Sequence, residues 1–244
     1  VINLDTTTSG NITLGTLTAA ADTVTINSVG TLNDDGAGTP DITADTVNLD
    51  AAGGIGNTAP IQLSQTDSLD ADDTGNGAID IENAADAAVT VNSLSTGNNT
   101  IDYAQTGSQT SQITSAVTAD GTVTVSNDGA ALTAQTVTAG GTGDISLATT
   151  TAGNIIVGTL TAAGDGVTIN SVGTLNDDGA GTPDITADTV NLDAVGGIGN
   201  TAPIQLSATD TLDADDTGNG VIDIENAADA AVTVNSLSTG NNTI

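Results

Sequence analysis

The chain has 244 residues, 31 Asp and Glu, no Lys, Arg or His, and a formal charge of −31. Cys, Met, Trp and Phe are absent, which excludes disulfides, Cys/His zinc sites, haem ligation and Cys or His nucleophiles. With no basic side chain to neutralise phosphates, nucleic acid is not an expected partner.

Leu, Ile and Val make up 54 residues, about 22%, just above the level typical of disordered chains. Their arrangement argues for order. In chain order they form short alternating pairs such as Val24-Thr25-Ile26, Ile61-Gln62-Leu63, Ile79-Asp80-Ile81, Val89-Thr90-Val91 and Val123-Thr124-Val125. Alternation bounded by Gly, Asn, Asp and Thr predicts β-strands. No apolar run approaches the roughly 18 residues of a membrane span.

Residues 1–101 match residues 144–244 at a constant offset of 143, with only 12 differences. The expected organisation is one repeat over 1–143, a partial second over 144–244, and one continuous solenoid. It reads as a window on a longer array or as the protomer of a head-to-tail fibre. A finer period lies inside. The pairs beginning at Ile2, Val24, Ile42, Ile61, Ile79, Ile101, Val123 and Ile145 are spaced by 22, 18, 19, 18, 22, 22 and 22 residues. The predicted fold is therefore all-β: a parallel β-helix of about 20 residues per coil, with seven coils per repeat and the usual right-handed crossover. Inward Ile, Val and Leu would share one core. Tyr103, the single aromatic residue, would fill it with its hydroxyl at the rim.

Segments such as Gly10-Asn11-Ile12-Thr13-Leu14, Asp41-Ile42-Thr43-Ala44-Asp45-Thr46-Val47-Asn48-Leu49 and Gly143-Asp144-Ile145-Ser146-Leu147 resemble filamentous-haemagglutinin-type bacterial exoproteins. The resemblance implies a secreted shaft at the cell surface. Its partners would be further copies, head-to-tail or lateral, and host or surface glycans.

The acids cluster. Under the seven-coil register, Asp34 and Asp35, then Asp50, then Asp70, Asp72 and Asp73, then Asp86 fall on one edge. Asp177, Asp178, Asp193, Asp213, Asp215, Asp216 and Asp229 repeat the strip. Stacked carboxylates about 5 Å apart repel unless protonated or bridged by a cation. Asp-dense turns suit Ca²⁺, which takes six to eight oxygen ligands. The expected function is a structural or adhesive extracellular shaft. The alternative is a matrix or surface-layer-like component assembled through Ca²⁺. Adjacent acids such as Asp34/Asp35 or Asp72/Asp73 read as turn residues rather than a hydrolase pair, so no catalytic activity is expected.

Overall fold

A computed structural model describes residues 1–37, 40–180, 183–227, 231–240, 242 and 244. Among them there are 22 strands and no helix, and every strand pairing is parallel. The chain is a parallel β-solenoid.

Two rows of paired residues define the coils. One runs Ile2, Val24, Val47, Leu69, Val91, Ile113, Ala134 and Val157. The other runs Ile12, Leu32, Ile55, Ile79, Ile101, Val123, Ile145, Val167, Val190, Leu212 and Val234. Steps along both rows are mostly 22 or 23 residues. Each coil crosses the first row, then the second about half a turn later.

This geometry revises the coil count. Ile145 is the counterpart of Ile2 one repeat on, yet Ile2 belongs to the first row and Ile145 to the second. Six steps separate Ile12 from Ile145, and about half a coil separates Ile2 from Ile12. The 143-residue repeat therefore winds six and a half turns rather than seven. Identical sequences face opposite ways across the solenoid.

The cross-section changes along the axis to accommodate this. Ile42–Ala51 spans one corner, and Ser68–Asp73 continues its second half as a single run. At Val89–Thr96 a register shift inserts Asn92. Beyond it the face divides into short strands, Ser111–Ile113 and Ala116–Thr118. On the other side, Ile55 and Ile61–Ser64 are separate, but both stack on the unbroken strand Ile79–Ala84. Gly56–Pro60 is the excursion that vanishes at this merger. Gly77 sits where two coil backbones touch: a Cβ there would lie 2.2 Å from Gly54 Cα, so no other residue fits without moving the backbone.

Inward positions form one aliphatic core from Leu14 to Ile222. Strand residues alternate between it and the outer surface because successive side chains point to opposite faces. Tyr103 is fully buried in the row Ile81, Tyr103, Val125, Leu147. Its hydroxyl does not reach the rim but accepts a long hydrogen bond from Asn83 Nδ2 at 3.4 Å. Below it runs a buried polar row, Asn83, Gln105, Asn127 and Thr149. Asn127 Nδ2 donates to the carbonyls of Gln109 and Ala130 at 3.1 and 2.7 Å. Asn83 Nδ2 likewise donates to the Thr66 carbonyl at 3.0 Å. These two amides satisfy corner carbonyls, as buried backbone groups require, whereas the buried Gln105 amide has no hydrogen-bond partner among the described residues.

Candidate functional site

The acids do not form the single strip expected from sequence. Most of the predicted acids fall into three settings, each with a counterpart in the second copy of the repeat.

The first is a corner. Asp34 ends the strand Leu32–Asp34, and Asp35 follows it. Their carboxylates accept hydrogen bonds from Gly36 N–H and Ala37 N–H at 2.8 and 2.9 Å. Asp41 returns across the same turn, buried, and accepts the Gln62 N–H at 2.7 Å. One carboxylate oxygen from each of Asp34, Asp35 and Asp41 lies within 4.8 Å of the other two. Burial raises the pKa of Asp41 to about 7, against the lowering effect of the Gln62 N–H; a shared hydrogen bond with Asp34 and the charges of Asp34 and Asp35 add to the rise. Asp177, Asp178 and Asp184 repeat these hydrogen bonds, with Gly179 N–H, Ala180 N–H and Gln205 N–H as donors. Asp184 is likewise raised to about 7, by burial first and then by Asp177 and Asp178.

Asp41 and Asp184 were absent from the expected set. The sequence carried a signal for them: Asp41 lies only seven residues beyond Asp34, just before the inward Ile42.

The second setting is an outward ladder. Asp50 stacks directly on Asp72, and Asp70 on Asn48. Asp193 and Asp215 form the matching pair, with Asp213 on Asn191. Burial, then repulsion from Asp72, raises the pKa of Asp50; Asp70 is raised by burial and by both of those acids. Asp193 is raised in the same way, by burial and then Asp215 and Asp213. Hydroxyls relieve the far end. Ser93 Oγ–H donates to Asp72 at 2.8 Å and Ser236 Oγ–H to Asp215 at 2.7 Å, and the Ser236 and Ser238 hydroxyls lower Asp215.

Asp73 and Asp216 make the third setting, and they point inward. Asp73 is 3% exposed. It accepts Gly54 N–H at 2.9 Å, Gly77 N–H at 2.6 Å and the Thr96 hydroxyl at 3.2 Å. Asp216 holds Gly220 N–H at 2.7 Å. These two are structural braces whose carboxylates are already committed to the backbone.

Asp34 and Asp35 thus stand apart from Asp50, Asp70 and Asp72, because the 18-residue step from Val24 to Ile42 moves to another face. Val24 pairs with Val47, and Ile42 with Leu17 and Leu63. Asp86 lies in the turn before Val89–Thr96, and Asp229 lies outside the described residues. Asp72 and Asp73 project to opposite sides of one strand and do not face each other as a catalytic pair would.

The corner also fixes a pH response. The ordinary Asp pKa is about 3.9, and the folded values of Asp41 and Asp184 are about 7. Between those limits the folded chain holds protons that the unfolded chain releases. Stability is therefore greatest below about pH 4 as far as these groups go, and falls as pH rises to about 7. Changing both residues to Asn is expected to flatten that slope. It should also raise Tm at pH 8 by several degrees, on the order of 1–2 kcal/mol per site after solvent screening. Thermal melts across pH 4–8 measure it, and an unchanged slope would refute the assignment.

No protein-family model matches the chain, and no curated protein or solved structure shows significant similarity to it.

Proposed function

We propose that this chain is a structural shaft: a repetitive β-solenoid of a secreted bacterial surface fibre, resembling filamentous-haemagglutinin-type exoproteins and without catalytic activity. The observation that carries this reading is the uninterrupted aliphatic core from Leu14 to Ile222, which makes each coil a support for the next. Outward rows such as Asn3, Thr25, Asn48 and Asp70 keep such a rod soluble. Its placement outside the cell and any contact with surface glycans belong to the same proposal.

The corner of Asp34, Asp35 and Asp41 supports the second reading, assembly of a matrix or surface layer through Ca²⁺. Oxygens so close would bind a hard cation once deprotonated. The two readings separate in a melt at pH 8 with added Ca²⁺ or with chelator. A cation-independent shaft keeps the same Tm and the same extended particles by electron microscopy in both. Ca²⁺-dependent assembly gives a Tm that rises with Ca²⁺, is insensitive to Ca²⁺ in the Asp41→Asn, Asp184→Asn variant, and loses its assemblies in chelator.

A further inference from the structure

The charge is distributed very unevenly around this solenoid. Residues 89–162 contain only four of the 31 acids: Asp102, Asp120, Asp128 and Asp144. None lies on the faces formed by Val89–Thr96, by Ser111–Ile113 with Ala116–Thr118, by Leu132–Ala139 and by residues 155–162. These segments stack in register over four consecutive coils. Their outward positions include the row Ser95, Val117, Thr138 and Thr161. One coil earlier the same face carries Asp70 and Asp72. One coil later it carries Asp178, with the buried Asp177 and Asp184 beside it at the corner. An uncharged patch on a polyanion is thus framed by carboxylates at both axial ends.

We infer that this patch is a lateral contact with a second copy of the chain. Two shafts of charge −31 repel wherever their acidic faces meet, and on this four-coil surface the bodies can approach without placing carboxylates against each other. The patch spans four coils of about 4.8 Å and about eight residues of about 3.3 Å, or roughly 500 Å² per copy. That gives roughly 1,000 Å² for the pair, the lower limit for a specific contact. A sugar chain fits it less well, because the one aromatic side chain, Tyr103, is buried and offers no stacking surface.

The half-turn in the repeat makes the contact two-sided. Residues 12–19 are the earlier counterpart of residues 155–162, and they lie across the coil, with Ile12 on the row of Leu32, Ile55 and Ile79 and Leu17 beside Ile42. In an array, successive patches therefore face opposite flanks every ~31 Å, at about 4.8 Å per turn. Contacts too weak singly add along the rod, and association extends into a sheet.

The inference rests on the shaft reading, and the experiment separates the two. Sedimentation of the 244-residue chain is followed from low salt to 1 M NaCl, where the Debye length falls to about 3 Å. The expected result is monomer at low salt and dimer or larger species as salt rises. A Thr138→Asp, Thr161→Asp variant should weaken association at least ~10-fold, an energy of ~1.4 kcal/mol. A Thr25→Asp, Thr168→Asp control, outward on other coil faces, should behave as wild type. Monomer at every salt concentration, or equal loss in patch variant and control, overturns the lateral contact. Small-angle scattering on the same samples tests the shaft alone. Rod-shaped monomers leave that reading standing, whereas compact particles refute it.

Discussion

Asp73→Ala is expected to destabilise the fold by about 3–5 kcal/mol, while Asp72→Ala, one residue away, should leave stability unchanged or slightly raised. The buried Asp73 carboxylate is the acceptor for two amides on neighbouring turns, Gly54 and Gly77. Each buried donor left unpaired costs about 1–3 kcal/mol. The Thr96 hydroxyl loses a partner as well. Asp72 instead stacks outward on Asp50, so its removal relieves a like-charge contact in exchange for one hydrogen bond from Ser93. Chemical denaturation of the two variants reads the difference. Equal effects would mean that the inward and outward assignments are wrong.

Tyr103→Ala should cost a similar amount, about 3–5 kcal/mol, by opening a cavity in the core. For a chain of this size that corresponds to a fall in Tm of roughly 6–20 °C. The ring is stacked between Ile81 and Val125, and the next residue in its row is Leu147. Tyr103→Leu should therefore recover more than half of the loss. Because each coil touches only its neighbours, the damage should be local. Hydrogen exchange should accelerate in Ile79–Ala84, Ile101–Gln105 and Val123–Asn127 well before it does in Ile185–Ala194.

The strand pattern was legible in the sequence because alternation of aliphatic and polar residues is a direct imprint of a strand with one buried face. Ile79, Ile101, Val123 and Ile145 do stack at the expected 22-residue step. The intervening steps from Val24 to Ile42, Ile61 and Ile79 do not. Every face of a coil alternates alike, so alternation cannot tell the next coil from the next face of the same coil. Those three steps cover 55 residues, which is two and a half turns at the spacing found elsewhere. The corner inherits the same difficulty. Asp34 and Asp35 are visible as acids, but their partner Asp41 adjoins Ile42, which the seven-coil register gives to the next coil, and only the correct register brings the three together. The inward turn of Asp73 beside the outward Asp72 likewise depends on where strand Ser68–Asp73 meets the corner, which composition does not encode.

The pairing register makes the repeat six and a half turns long, and cysteine pairs test it because the chain has no Cys of its own. Thr25 and Asn48 are partners on adjacent coils, at a Cα separation of about 5 Å that suits a disulfide. Thr43 lies on another face, paired with Thr18 and Ser64. Mild oxidation is expected to close a disulfide within the Thr25→Cys, Asn48→Cys chain and none within the Thr25→Cys, Thr43→Cys chain. Efficient bonding in the second chain and none in the first would restore the seven-coil register and contradict the six-and-a-half-turn repeat.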